Sequence, residues 1–308
     1  MTDGRTIRRT AIRTAYVVGP VVILAVVLAV LWSTSPFGDV EAIDEASTLE
    51  ILWLLAVVGA IAGIVPVAIG MLWFPFIRTL EHRYLHAFLA LAAGVLAFIA
   101  FEMTEEAIEH AFEADRTALA GGLVVLGVFG TFGAMYALGR WRQRTSVGGE
   151  RSGLRIAYLV AIALGLHSIG EGLGIGVAFV QGDATLVTLL VVGYIMHNVT
   201  EGPTIVAAVA RDTETPPLYH FAAMGIIAGS PVIFGGWIGS LADSALLAAV
   251  FFAIAVGAIL QVLVEMVGLI RFDAGTLLTR LNAATFVVGV ALMFVLEDVI
   301  VEGWIIPG

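Results

Sequence analysis

The chain has 308 residues, of which 60% are hydrophobic and only 13% are charged. About a quarter of the residues of a soluble domain are charged, so this composition excludes an ordinary soluble protein and indicates an integral membrane protein. The net charge is −10 and the sequence has no cysteine. Disulfides, thiolate metal sites and thiol redox chemistry are therefore excluded, and we expect no nucleic-acid partner.

Nine apolar stretches are long enough to cross a bilayer, which takes about 20 residues. The first follows a basic N-terminus and is longer than the apolar core of a signal peptide. No cleavage site of the A-x-A type follows it, so we interpret it as a retained helix. The sequence thus predicts an all-α membrane protein with helices at 15–33, 50–74, 85–104, 118–139, 154–180, 185–210, 219–241, 245–270 and 281–300.

The arginines test this number of helices, because cytoplasmic loops are enriched in basic residues. All 15 basic residues are arginines. With the N-terminus in the cytoplasm, every arginine except Arg116 falls on the cytoplasmic side, and the outer loops "FGDVEAIDEAST" and "EEAIEHAFEAD" are acidic. We therefore expect a multi-pass protein of the cell membrane, embedded in the lipid bilayer, with a cytoplasmic N-terminus.

Two neighbouring predicted helices carry the same polar motif. "GLHSIGEGLGI" contains His167 and Glu171, and "IMHNVTEGPTI" contains His197 and Glu201. Each pair is spaced i, i+4 and therefore lies on one helix face. Charged groups at the bilayer centre cost about 3 kcal/mol or more. A single such residue is as readily a structural polar group, but a duplicated pair with no intramembrane arginine indicates a functional site.

The residue types point to a metal ion. Two buried glutamates close together repel each other, and a divalent cation removes this conflict. Mixed imidazole and carboxylate ligation suits Zn²⁺, Fe²⁺ or Mn²⁺ and disfavours Ca²⁺ and Mg²⁺. The predicted metal ligands are His167, Glu171, His197 and Glu201.

A second internal repeat flanks this pair of helices. The segment Phe88–Met103 matches Phe251–Met266 at six positions, which include Gly94 with Gly257 and Glu102 with Glu265. The two segments lie at mirrored places in the order of the helices and would run in opposite directions. Inverted repeats of this kind are typical of secondary transporters, whose substrate binds at the midplane between the repeats.

An acidic stretch ends the third predicted helix. Its side chains could attract cations above the site, or they could form a solvated helix end, and we leave both readings open. Glu102 and its repeat counterpart Glu265 lie deeper, within apolar runs, where each could be a transient ligand, a proton carrier or a structural partner. The candidate entrance residues are Glu105, Glu106, Glu109 and His110.

These motifs resemble those of the ZIP (Zrt/Irt-like protein) family of divalent metal transporters. That family has the motif H-N-x-P-E-G in one core helix and a related H/Q-x-x-P-E-G in the next, where this chain has "HSIGEG" (167–172) and "HNVTEG" (197–202). The resemblance covers about residues 50–300. It implies an eight-helix core with a 3+2+3 inverted repeat, here preceded by one additional N-terminal transmembrane helix.

The resemblance also implies a division of the chain. Residues 1–48 would comprise the cytoplasmic N-terminus, the first helix and an acidic outer loop, and residues 49–308 the transporter domain. A second metal in the family uses the residues after the histidines, here Ser168 and Asn198, and a glutamate before a proline, here replaced by Ser230. Gly170 and Thr200 replace the motif prolines. These departures favour one metal ion over two.

From the resemblance we expect a transporter that moves Zn²⁺ or a similar ion, such as Fe²⁺, Mn²⁺ or Cd²⁺, toward the cytoplasm by alternating access. The metal would be the substrate, no organic cofactor is expected, and a homodimer is left open. We do not expect an enzyme. The alternatives are a membrane-embedded metalloenzyme of the di-metal carboxylate type, which prefers E-x-x-H pairs, and a metal sensor without flux.

Overall fold

The computed structural model describes Val18, Val22, Val26 and residues 47–77, 81–145, 153–209, 215–274 and 277–301. Within these ranges the chain forms helices and short connections, with no β-strand. Most of the predicted helix at 15–33 and most of the segment 1–48 lie outside the described residues.

The described residues contain eight helices or broken helices that are long and apolar enough to cross a membrane. The prediction of an all-helical, multi-pass membrane protein is therefore confirmed. The helices are α1 (Thr48–Gly59), a π-helical turn (Ala60–Ile64), α2 (Val65–Met71), α3 (Phe74–Ile77), α4 (His82–Glu113), α5 (Thr117–Thr145), α6 (Gly153–Val180), α7 (Ala184–Val209), α8 (Leu218–Gly229), α9 (Pro231–Gly239), α10 (Ala245–Ala274) and α11 (Arg280–Val301).

The first crossing among the described residues, Thr48–Phe76, is interrupted near its middle. α1 begins at the N-cap Ser47, whose side chain forms a capping box with Glu50. The helix then widens into the π-helical turn, and Pro66 lies just after this turn. A proline has no N–H to donate within the helix, and π-helical turns are frequent at functional sites. The interruption therefore leaves backbone groups available for side chains of other helices.

The sixth described crossing, Leu218–Gly239, is broken in a similar way. α8 ends at Gly229, and α9 begins at Pro231 with Ser230 between them. The two broken crossings contact each other where each is interrupted. A Cβ atom added to Gly63 would lie 2.3 Å from the Gly229 carbonyl oxygen. Only glycine permits this approach of the two backbones.

The eight crossings among the described residues pack as two groups of four. The first group comprises the two broken crossings together with α6 and α7, and the second comprises α4, α5, α10 and α11. The groups contact each other mainly where α10 meets α6 and where α4 meets α7. Apolar side chains fill these contacts, among them the fully buried Phe252, Ile99 and Leu190. α7 and the second half of α6, from His167 to Phe179, thus lie in the interior of the bundle.

Glycines bring α6 and α7 very close to the broken crossings. A Cβ atom on Gly172 of α6 would lie 2.1 Å from the Val232 carbonyl oxygen of α9. A Cβ atom on Gly202 of α7 would lie 2.5 Å from the Val67 carbonyl oxygen of α2. Gly172 and Gly202 each follow the glutamate of a His–Glu motif directly, so these close contacts set the positions of the motifs.

Candidate metal centre

The two His–Glu motifs lie halfway along two neighbouring transmembrane helices. His167 is near the middle of α6, which has 28 residues, and His197 is near the middle of α7, which has 26. α6 and α7 pack against each other. All four motif side chains are buried, with at most 3% of any of these residues exposed. The motifs thus meet at the depth where a membrane protein has no bulk water.

The imidazoles and carboxylates converge on one point. The Nε2 atom of His167 lies 2.8 Å from Oε1 of Glu201, and the Nε2 atom of His197 lies 3.0 Å from the same oxygen. Glu171 is farther away, with its Oε1 atom 3.8 Å from His167 Nε2 and 3.9 Å from His197 Nε2. Each residue offers one ligand atom, and all four atoms lie within 4.8 Å of one another.

Several atoms of this cluster have no hydrogen-bond partner. Oε1 of Glu171, Oε2 of Glu201 and Nδ1 of His197 are buried and unpaired. His167 Nε2 is also without a hydrogen bond, although it is close to Glu201, because the contact lacks hydrogen-bond direction. Buried polar groups are nearly always paired. Among them, His167 Nε2 and Glu171 Oε1 lie 3.8 Å apart, and a cation between them would satisfy both.

The size of the cluster fits one divalent transition metal ion. Bonds of about 2.0–2.2 Å in a tetrahedral zinc site place the ligand atoms about 3.3–3.6 Å apart. The separations between imidazole nitrogens and carboxylate oxygens, from 2.8 to 3.9 Å, bracket this range. In the described part of the chain no arginine forms an ion pair with either glutamate. The group could therefore bind a metal ion.

The residues that follow the two histidines behave differently. Asn198 is buried, and its Nδ2 atom donates to Oε2 of Glu171 at 3.0 Å and to the carbonyl oxygen of Ala62 at 2.9 Å. Ser168 is also buried, but its hydroxyl donates to the carbonyl oxygen of Leu164 in its own helix. Asn198 therefore touches the metal-ligand group, whereas the Ser168 hydroxyl is used within α6.

The other predicted accessory residues are not part of the four-residue group. Glu102 is half-buried and interacts electrostatically with Glu297 of α11. Glu265 is half-buried beside Gly139 of α5, within electrostatic range of His167. Ser230 is half-buried in the break between α8 and α9. Neither Glu102 nor Glu265 supplies a ligand atom to the group.

The predicted entrance residues lie at the end of α4. Glu105 and Glu109 are exposed, whereas Glu106 and His110 are half-buried. His110 contacts Glu106 and Glu113 and lies 2.9 Å from Nε2 of Gln181, in the connection between α6 and α7. The acidic stretch therefore adjoins the connection between the two motif-bearing helices.

Sequence reasoning missed the role of the first crossing. The Ala62 carbonyl reaches the site through Asn198, and only Pro66, four residues later, indicates that this carbonyl lacks its α-helical N–H partner. Tyr194, one turn before His197, was also missed. It is fully buried and its hydroxyl donates to Sδ of Met103 at 3.2 Å.

No protein-family model matches the chain, and no curated protein sequence matches it significantly. The fold and the site define a class: a multi-pass helical membrane protein with a buried His/Glu group that could bind a metal ion. A more specific function is inferred from the geometry of this site and of the helices around it.

Proposed function

We propose that this chain is a divalent metal transporter of the ZIP type, with Zn²⁺ or a similar ion as its substrate. The observation that carries the proposal is the buried group of two histidines and two glutamates at the middle of two adjacent transmembrane helices. Intramembrane ionisable residues mark ion pathways by default. A group of both ligand types at this depth suits an ion in transit across the membrane.

The ligand types support a borderline metal. Imidazole nitrogens favour Zn²⁺, Fe²⁺ and similar ions over Mg²⁺ or Ca²⁺, and the glutamates compensate the charge of the cation. Both ligand types must be deprotonated to bind, so protons compete with the metal and favour its release. Glu201 would be the central anchor, because both imidazoles lie within 3.0 Å of its Oε1 atom.

The packing of the helices supports alternating access. The motif-bearing helices belong to one group of four crossings and contact the other group through α4 and α10. In alternating access, one bundle moves against another around the binding site. We infer that the group with α6 and α7 carries the metal, and that it moves past the group that contains α4 and α10.

Matching glycine contacts support the inverted 3+2+3 repeat. Gly94 of α4 contacts the Phe286 carbonyl of α11, and Gly257 of α10 contacts the Val128 carbonyl of α5. These glycines are counterparts in the repeat predicted from sequence. The same correspondence relates the contacts of Gly172 and Gly202 with the two broken crossings. The cytoplasmic N-terminus is inferred from the arginine distribution, and the direction of transport, toward the cytoplasm, is inferred from the family resemblance.

A membrane-embedded di-metal enzyme is less well supported. Such centres take about four glutamates in addition to two histidines, and here Glu102 and Glu265 are outside the ligand group. A metal sensor shares the binding site but not the flux. Metal uptake therefore separates these functions from transport.

The test is uptake of Zn²⁺, Fe²⁺, Mn²⁺ and Cd²⁺ into proteoliposomes that contain the purified chain. We expect saturable uptake by the wild type and none by Glu201→Ala or His197→Ala. Asp243→Asn is the control, because Asp243 is exposed between α9 and α10 and should leave uptake unchanged. Binding without uptake would favour a sensor or enzyme, and undiminished uptake by Glu201→Ala would refute the site.

A further inference from the structure

Asn198 connects the metal-ligand group to the broken first crossing. Only 1% of this residue is exposed. Its amide nitrogen has two hydrogens, and it donates one to the Ala62 carbonyl and the other to Oε2 of Glu171. Because carbonyl and carboxylate oxygens are acceptors only, both bonds require the amide nitrogen, and the orientation of the side chain is determined.

The Ala62 carbonyl is available because of Pro66. In a regular α-helix this carbonyl would accept the N–H of residue 66, but proline has none. The carbonyl also lies within the π-helical turn Ala60–Ile64, where the regular hydrogen-bond ladder is interrupted. The interruption of the first crossing thus creates the acceptor that holds Asn198.

The effect of this connection is visible at Glu171. Oε2 of Glu171 is held by Asn198, which leaves Oε1 on the side of the two imidazoles, where it has no hydrogen-bond partner. A carboxylate with one oxygen held and the other free is prepared to bind a cation. Glu201 has no such support from Ser168, whose hydroxyl bonds within α6.

We propose that Asn198 is a positioning residue: it fixes Glu171 for metal binding by anchoring this carboxylate to the Ala62 carbonyl, whose α-helical N–H partner Pro66 removes. The inference rests on the metal site proposed above and deepens it. The competing role is direct coordination through Oδ1 of Asn198, which is buried and unpaired. The two roles differ in whether the effect of Asn198→Ala on the Zn²⁺ affinity depends on the presence of Glu171.

A double-mutant cycle separates the roles. Zn²⁺ affinity is measured by titration calorimetry on the purified full-length chain. We expect Asn198→Ala to bind about 10–100-fold more weakly than wild type, as is typical when a partner of a metal ligand is lost. In a Glu171→Ala background the same change should matter by less than about twofold, because the carboxylate that it positions is absent. Equal weakening in both backgrounds would establish direct coordination and overturn the proposal.

Asn282→Ala is the matched control. Asn282 is another buried asparagine whose Nδ2 atom donates to a backbone carbonyl, that of Leu277, but it lies in α11 outside the ligand group. It should leave the Zn²⁺ affinity unchanged. If Asn282→Ala weakens binding as much as Asn198→Ala, the effect is a general response to truncating a buried asparagine, and the positioning role is refuted.

A second variant tests the connection without changing Asn198. Pro66→Ala restores an N–H that competes for the Ala62 carbonyl, so it should weaken Zn²⁺ binding in the wild type and have no further effect in Asn198→Ala. Pro231→Ala is its control, because Pro231 begins α9 in the other broken crossing. Unchanged affinity in Pro66→Ala would contradict the proposed anchor.

The outcomes are distinct from those of the transport test. If the chain binds Zn²⁺ without transporting it, and Asn198→Ala weakens binding only when Glu171 is present, transport is refuted and the positioning role is kept. If the wild type takes up metal but the effects of Asn198→Ala and Glu171→Ala on the Zn²⁺ affinity are additive, transport is kept and the positioning role is refuted. A wild-type chain that does not bind any of the four metals would overturn both.

Discussion

The two copies of the His–Glu motif are alike in backbone packing and different in their polar contacts. In both copies the glycine after the glutamate lies against the backbone of a broken crossing, α9 for Gly172 and α2 for Gly202. The carboxylates differ, because Glu201 meets both imidazoles whereas Glu171 is held by Asn198. Equivalent positions in a repeat can thus take unequal roles when one neighbouring side chain changes.

The largest expected effect tests whether Glu201 contributes more to metal binding than Glu171. Glu201→Ala should weaken Zn²⁺ binding by on the order of 10²–10³-fold, because it removes the carboxylate nearest to both imidazoles and leaves the buried cation undercompensated. Glu171→Ala should weaken binding less, since its nearest imidazole nitrogen is 3.8 Å away. Titration calorimetry with Asp243→Asn as control measures both. Equal losses of Zn²⁺ affinity would show that the two glutamates contribute equally to binding.

A smaller effect tests the close backbone contacts that the glycine of each motif makes with a broken crossing. Gly172→Ala and Gly202→Ala should each destabilise the fold by about 1–3 kcal/mol, because the new methyl group overlaps a neighbouring backbone. Gly133→Ala is the control, as no atom lies within 4 Å of an added Cβ atom there. Thermal unfolding in detergent measures the three variants. If the two motif variants unfold at the temperature of Gly133→Ala, the close packing is absent.

The smallest effect concerns Ser168, the counterpart of Asn198 in the other motif. Ser168→Ala should change the Zn²⁺ affinity by less than about twofold, because the hydroxyl bonds to Leu164 in its own helix and does not touch a carboxylate. The free energy of unfolding should fall by no more than about 0.5–1.5 kcal/mol, the net contribution of one hydrogen bond. Calorimetry and thermal unfolding of the variant check both values. A large loss of affinity would instead make Ser168 a ligand, as the family resemblance implies.

Much of the architecture was predictable from hydropathy. The predicted helix at 154–180 corresponds to Gly153–Val180, and that at 185–210 to Ala184–Val209. The breaks in the first and sixth crossings were not predicted, because the helix that precedes each break is as apolar as an unbroken one. Pro66 and Pro231 were visible signals, but proline alone does not distinguish a kink, a π-helical turn and a new helix.

The sequence by itself determined which residues share a helix face and how deep they lie. The i, i+4 spacing places His167 beside Glu171 and His197 beside Glu201, since a helix turns once in 3.6 residues. The same reasoning placed Glu102 and Glu265 within the membrane, but it did not show which neighbouring helices their side chains face. A helix can rotate about its axis without changing depth, so depth does not decide contact.

Only the tertiary structure decided which faces meet. It turned both motifs toward each other and brought the Ala62 carbonyl to Asn198, 136 residues away in the chain. It left Glu102 near Glu297 and Glu265 beside Gly139, outside the ligand group. The physical reason is close packing: glycine contacts such as Gly70 against Val199 fix the rotation of each helix, and these contacts join residues far apart in sequence.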